Sequence, residues 1–168
     1  ALRSWEHQKG YPVITVRYDI PSQSFQVTQQ RFFEFKKSPS NDTSSWYIPL
    51  NYATSSNPNF DTTTISDWFE NGVAMKSIPA PTFTTSQWYV FNKQQRGYYR
   101  VHYSDNNWRA LSFALNSDDY TRIHVMNRAQ LIDDAFALAI GGYVDYNLAF
   151  DIVKYLNREN DFFPWYTA

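Results

Sequence analysis

The sequence has no cysteine among its 168 residues. Disulfides, thiolate nucleophiles and thiolate metal sites are therefore excluded within it. It also lacks an excess of either charge, since 15 Lys and Arg stand against 16 Asp and Glu. Because no stretch gathers the basic side chains that phosphate groups require, we expect no nucleic acid among its partners. The longest apolar run, 135–140, is far shorter than the roughly 20 residues of a membrane-spanning helix.

Motifs for catalysis are lacking as well. A catalytic zinc site usually has two histidines one helical turn apart, but His7, His102 and His124 have no such spacing. Each is more readily explained as a surface or locally bonded histidine. The sequence has neither a Gly-x-Ser-x-Gly nucleophile motif nor a glycine-rich phosphate loop. We therefore expect no catalytic residue, no cofactor and no metal ligand in this chain.

One pair of carboxylates resembles an acid–base pair. Asp133 and Asp134 are neighbours in a region with helical periodicity. Adjacent helical side chains project about 100° apart, so the two are expected not to converge on one substrate atom. We therefore predict a structural role, with one carboxylate bound to Arg128 or a nearby loop and the other facing solvent or a partner domain.

Aromatic side chains are abundant, at 19% of the chain. Such residues favour pleated, half-buried surfaces, which indicates β structure. Four tryptophans could form a platform on which sugars stack, but packing in the core is the commoner use of these rings. The four are Trp46, Trp68, Trp88 and Trp108.

A period of two in the apolar residues predicts short strands from Pro12 to about Tyr103. Gln29 and Arg31 interrupt one apolar face, which predicts a bulge or two shorter strands. Pro49 favours an edge strand, and Asn71-Gly72 predicts a tight hairpin. Seven or so short strands over about 100 residues are typical of an immunoglobulin-like antiparallel β-sandwich.

After Tyr103 the period changes toward 3.6, which predicts helices. Asp105 and Asp145 are predicted N-caps, and a long helix from about 121 to 140 should end at Gly141-Gly142. The fold class is thus mainly β with α: an immunoglobulin-like sandwich (1–104) is followed by an α-helical hairpin, the first helices of a truncated helical-repeat domain (105–168). We expect 131–140 and 148–156 to expose an apolar face that helices outside this chain cover.

Asn41-Asp42-Thr43 is a sequon for N-linked glycosylation in a loop rich in Ser, Asn and Thr. Asn41 is therefore a glycosylation candidate of the kind that extracellular proteins carry.

Several segments together resemble the zinc-dependent aminopeptidase N family. The likeness covers nearly the whole chain in order. It rests on Trp5-x-x-Gln8-x-Gly10-Tyr11-Pro12-Val13-Ile14, Ile48-Pro49-Leu50, Asn92-x-x-x-x-Gly97-Tyr98-Tyr99-Arg100-Val101-x-Tyr103, Trp108, residues 127–136, and Tyr155-Leu156-x-x-Glu159 with Pro164-Trp165. The many Asn, Tyr and Ser residues and the loop lengths resemble those of an insect-type membrane alanyl aminopeptidase.

The resemblance implies a non-catalytic segment of an enzyme that removes N-terminal amino acids from peptides. Zinc would be bound by His-Glu-x-x-His in a peptidase domain preceding this segment, and neither that motif nor Gly-Ala-Met-Glu-Asn occurs here. The implied partners are the peptidase domain, the rest of the C-terminal helical domain and the parent's peptide substrate. Arg128, Asp133 and Asp134 would be domain-junction residues. The implied location is the extracellular face of the plasma membrane, anchored through the parent.

An independent β-sandwich binding module is an alternative reading. Such a module would bind a carbohydrate or a protein, and it would fold from residues 1–104 alone. The likeness to insect enzymes adds the possibility of a receptor surface for a bacterial toxin.

Overall fold

The computed structural model describes residues 3–35 and 41–168. A short helix, α1 (Arg3–Glu6), precedes the strands. The strands are β1 (Pro12–Asp19), β2 (Ser24–Arg31), β3 (Ile48–Leu50), β4 (Tyr52–Thr54), β5 (Asp67–Phe69), β6 (Met75–Pro79), β7 (Tyr89–Phe91) and β8 (Arg100–Tyr103). The later helices are α2 (Asp105–Leu115), α3 (Val125–Ile140), α4 (Tyr146–Val153) and α5 (Phe162–Thr167). Short 3-10 helices cover Lys93–Gln95, Tyr120–Arg122 and Lys154–Arg158.

The larger sheet has four strands in the order β6-β2-β1-β8. Ile14 and Val16 of β1 are fully buried while Arg17 is exposed, as the period of two predicts. β2 runs opposite to β1 in an unbroken register from Ser24 to Arg31, so the prediction of a bulge or two shorter strands is wrong. β8 runs parallel to β1, and the sheet is therefore mixed rather than wholly antiparallel.

The opposite layer consists of two short antiparallel pairs, β3 with β5 and β4 with β7. Phe25 of the larger sheet packs against this layer, with ring centroids 5.0 Å from Tyr52, 4.7 Å from Tyr89 and 5.1 Å from Phe91. The core thus lies between two layers of strands, and the predicted β-sandwich is confirmed. Pro49 is in a two-stranded sheet, where every strand is an edge.

The predicted hairpin at Asn71-Gly72 is wrong, although a turn is present. Gly72 has a φ of +81°, which glycine adopts readily. The flanking strands do not pair with each other, because β5 pairs with β3 while β6 pairs with β2. The turn instead carries the chain from one layer of the sandwich to the other.

Helix boundaries follow the predicted caps with small shifts. Ser104, not Asp105, precedes the first turn of α2. Ile123 is extended, so the helix predicted from 121 divides into a 3-10 turn and α3, whose N-cap is His124. Gly141 ends α3, and the Asp145 side chain caps α4 by accepting from the Asn147 N–H at 2.7 Å. α3 and α4 form the predicted helical hairpin.

Much of the predicted apolar face is buried inside the chain itself. Leu131, Ile132, Leu138 and Ile152 are at most 1% exposed, because these helices pack on one another and on the strands. Exposed apolar side chains remain around the ends of the hairpin and on α5, namely Ile140, Tyr146, Phe150, Phe162, Phe163, Trp165 and Tyr166. Pro164 lies beyond the end of α4, within the short α5. None of the helices among the described residues has the length and apolar character needed to span a membrane.

Candidate functional site at the contact between strands and helices

Arg100 of β8 binds two neighbouring carboxylates of α3. Its Nη1 donates to Asp133 Oδ2 at 2.6 Å and to Asp134 Oδ1 at 3.0 Å. The guanidinium also lies over the Phe32 ring, 5.0 Å from the centroid, and its Nε donates to the Tyr11 hydroxyl at 3.1 Å. Charge, hydrogen bonds and ring contacts thus hold this side chain in one place.

Asp134 also binds the backbone of β8. Its Oδ2 accepts from the Val101 N–H at 3.0 Å, and its side chain is 3% exposed, against 43% for Asp133. The two carboxylates do converge on one atom, so the expectation that they diverge is wrong. The Arg100 side chain extends from β8 so that its Nη1 lies within hydrogen-bond distance of both carboxylates, although these project in different directions from α3.

Burial raises the pKa of Asp134 to about 7. Arg100 and the Val101 N–H act in the opposite direction by favouring the ionised form. Removing the cation or the carboxylate would leave a buried charge or a buried N–H without its partner, which costs several kcal/mol. The contact therefore resists separation of β8 from α3.

Arg128 anchors the start of α3 to the chain beyond α4. Its Nε and Nη2 donate to the two oxygens of Glu159 at 2.7 and 3.0 Å, and Nη2 donates to Asp161 at 2.6 Å. Arg128 thus binds neither Asp133 nor Asp134, so of the two predicted partners, Arg128 or a nearby loop, Arg128 is not the one found. Burial acts to raise the pKa of Glu159, but the Arg128 and backbone hydrogen bonds outweigh it and hold that pKa below its ordinary value.

The loop after β7 forms a second contact between strands and helices. Asn92 and Gln94 have φ of 63° and 53°, a conformation that non-glycine residues rarely adopt. Asn127 of α3 holds this loop, since its Nδ2 donates to the Asn92 carbonyl at 2.9 Å and its Oδ1 accepts from the Gln94 N–H at 2.7 Å. The backbone of the loop is thereby fixed against α3.

Helix α2 completes the free edge of β7. Asn107 accepts from the Tyr89 N–H at 3.0 Å and donates to its carbonyl at 2.9 Å. The Tyr103 hydroxyl accepts from the Phe91 N–H at 2.8 Å, and its ring packs edge-on against the buried Trp108. A helical side chain thus supplies the hydrogen bonds of a missing strand.

The remaining candidates show no convergent chemistry. His124 caps α3, and the His102 ring lies edge-on to Tyr143. Within residues 3–35 and 41–168, no three His, Asp or Glu side chains are grouped to hold a metal ion. Trp46, Trp88 and Trp108 are buried in the core, whereas Trp68 is half-buried with its ring centroid 4.9 Å from that of Tyr47, so the four do not form one exposed platform.

Asn41 lies exposed in a turn. Residues 36–40, which precede it in the sequence, lie outside the described residues.

Sequence reasoning missed the central role of Arg100. The residue belongs to the motif that carries the family likeness, but no sequence spacing connects it with Asp133 and Asp134, which are 33 and 34 positions away. Sequence reasoning also does not identify Glu159 and Asp161 as partners of Arg128. A buried ion pair between distant residues leaves no local pattern in one sequence.

Comparison with known proteins agrees with this architecture. The model of the ERAP1-like C-terminal domain family matches residues 88–168, which begin just before β7 and include all of α2–α5. The matched segment therefore contains the 92–97 loop, Arg100, Asp133 and Asp134 together.

Similarity over nearly the whole of this chain extends to named relatives. Aminopeptidase N of Plutella xylostella is 45% identical over 99% of this chain and 17% of the relative. A membrane alanyl aminopeptidase of Heliothis virescens is 34% identical over 98% of this chain and 16% of the relative. The human thyrotropin-releasing hormone-degrading ectoenzyme is 33% identical over 99% of this chain and 16% of the relative. The chain thus spans about a sixth of the length of these relatives, and it is a segment of the aminopeptidase N family.

Proposed function

We propose that this chain is a non-catalytic spacer in a zinc aminopeptidase that removes N-terminal amino acids from peptides. In this role the sandwich separates a peptidase domain, which binds the zinc, from the rest of a helical domain. The names of the relatives support the parent activity and its place at a membrane facing the exterior.

The bond from Arg100 to both carboxylates of α3 carries the proposal. A spacer must keep a fixed angle between the elements at its two ends, and such an angle requires contacts that exist in one arrangement only. Asp134 provides one, because its two oxygens bind different groups of β8, the Arg100 guanidinium and the Val101 N–H. A rotation of α3 by even a fraction of a turn would separate these atoms and leave buried charges unpaired.

The contact through Asn127 supports the same role at a second point. It lies about two helical turns before Asp134 on α3 and holds the 92–97 loop. Two anchors on one helix fix its direction as well as its position. Arg128 then binds Glu159 and Asp161, so α3 is also fixed relative to the segment that leads into α5.

The decisive experiment changes Arg100 in the longer aminopeptidase that contains this segment. We expect Arg100→Met to leave the zinc content unchanged and to lower kcat/KM for peptides about tenfold, because misplaced substrate contacts are costly even far from the chemistry. Hydrolysis of a single-residue anilide, which needs only the peptidase domain, should change much less.

Arg109→Met is the matched control, since Arg109 is exposed on α2. It should preserve both activities, and Arg100→Lys should give an intermediate effect because it keeps the charge but loses the fork of donors. Equal loss of peptide and anilide hydrolysis in Arg100→Met would contradict a spacer role. Zinc-dependent turnover by the 168-residue chain alone would contradict its being non-catalytic.

A further inference from the structure

We propose that Asn41 carries an N-linked glycan. Asn41-Asp42-Thr43 has the acceptor pattern, and no second Asn-x-Ser/Thr segment occurs in the sequence. Asn41 and Thr43, the two side chains that define an acceptor, are exposed, while Asp42 between them is half-buried. The acceptor pair therefore faces outward from the surface.

Asp42 explains this orientation. Its Oδ1 accepts from the Ser44 N–H at 2.8 Å, and its Oδ2 lies 4.0 Å from Arg31 Nη1 at the end of β2. These bonds direct the middle side chain toward the sandwich. In the turn that results, the side chains on either side point toward solvent.

The chain after the acceptor is fixed to the strand region. Ser45 accepts and donates hydrogen bonds through its backbone with the Gln8 amide at 2.6 and 2.9 Å, and its hydroxyl accepts from the Gly72 N–H at 2.8 Å. None of these anchors lies in α2–α5. A glycan on Asn41 thus projects from the sandwich without displacing a buried contact or the helices.

This inference rests on the proposed extracellular location, since N-linked glycans are added in the secretory pathway. The test is secretion of the chain, with an added signal peptide, from insect cells, followed by peptide mass spectrometry of residue 41. We expect a glycan mass on the peptide that contains Asn41. Asn41→Gln and Thr43→Ala should remove it, whereas Thr43→Ser should keep it.

A created acceptor provides the matched control. Val73→Thr turns Asn71-Gly72 and the residue after it into an Asn-Gly-Thr acceptor in another exposed turn. In the Asn41→Gln background this change should restore a glycan. A Val73→Thr chain with Asn41 intact that is modified at Asn71 but bare at Asn41 would overturn the inference. That result would leave the spacer proposal intact, because the Arg100 experiment does not depend on a glycan.

Discussion

At the scale of single residues, carboxamide side chains act as substitute strand partners. We call this a carboxamide clamp, in which one side-chain amide bonds both the N–H and the C=O of a distant residue. The clamps are Gln8 on Ser45, Gln29 on Trp46, Asn92 on Gly97 and Asn107 on Tyr89. Several strands here are only three residues long, so ladder bonds alone leave many backbone groups unsatisfied.

The clamps explain residues that belong to the family likeness. Gln8 and Asn92 stand in its motifs, and both bond backbone groups. Gly97 is required beside Asn92, because an added Cβ would lie 2.2 Å from the Tyr99 ring. The motif from Asn92 to Tyr103 is thus a structural one, which is consistent with the proposed non-catalytic role.

Asn107→Asp should lower the free energy of unfolding by about 3 kcal/mol at pH 7. A carboxylate oxygen would replace the donor that faces the Tyr89 carbonyl, in a buried site. Urea denaturation followed by circular dichroism measures the change. Asn106→Asp is the control, since Asn106 is exposed in the first turn of α2, where an acidic side chain is favourable. Equal stability of the two variants would show that the clamp contributes nothing.

At the scale of elements, the sequence predicts which face of a strand is buried better than it predicts which strands pair with each other. Burial of Ile14, Val16, Phe25 and Val27 follows from a period of two, because burial is a local property of alternating side chains. The parallel pairing of β1 with β8 could not be predicted, since the two are separated by most of the sandwich. Asn71-Gly72 does form a turn, but which strands it joins depends on competition among all strand edges.

The contact between β8 and α3 should give stability a distinctive pH dependence. Because burial raises the pKa of Asp134 from 3.8 to about 7, the folded chain retains a proton that the unfolded chain releases between these values. The contribution of the protonated Asp134 to the free energy of unfolding is therefore fully present below the unfolded pKa of 3.8, and it is lost as the pH rises through 7. The loss is on the order of 4 kcal/mol.

Asp134→Asn removes this titrating group, so the difference between wild type and the variant reports the contribution of Asp134 alone. We expect the difference in unfolding free energy, wild type minus Asp134→Asn, to fall steadily between about pH 4 and pH 8 in urea denaturation series. Asp133→Asn serves as the control, because the Asp133 side chain is 43% exposed and exposed ion pairs contribute little. Parallel pH profiles for wild type and Asp134→Asn would disprove a buried, titrating carboxylate at this contact.

At the scale of the whole molecule, strands and helices complete each other. Asn107 of α2 occupies the edge of β7, Trp108 packs on Tyr103, and Asp134 of α3 binds the Val101 N–H. The periodicity change after Tyr103 predicts a boundary there, and Asn107, Trp108 and Asp134 make direct contacts across it. The matched family segment, 88–168, also begins before that boundary and includes two strands.

These contacts bear on the alternative of an independent binding module, which requires that residues 1–104 fold alone. Removing 105–168 would take away the partners of the Tyr89 backbone, Arg100 and the Val101 N–H, together with the apolar cover of Tyr103. Truncation would also expose the apolar surface that Trp108, Leu111 and Ile132 cover in the shared core. Because burial of one large apolar side chain contributes about 1.5 to 3 kcal/mol, the loss of several such contacts is comparable with a net stability of about 5 to 15 kcal/mol.

We therefore expect residues 1–104 to lack a cooperative unfolding transition, whereas the 168-residue chain unfolds in one. Differential scanning calorimetry and the dispersion of amide signals in NMR spectra distinguish the two outcomes. A chain ending at residue 159 is the control, because it removes α5 and the two residues before it while retaining α2, α3, α4 and Glu159. It should keep the cooperative transition at reduced stability, since Asp161 is lost but the Glu159 bond to Arg128 remains. Native-like folding of residues 1–104 would favour the binding module over the spacer, because a module can fold without the helices and a rigid spacer of this design cannot.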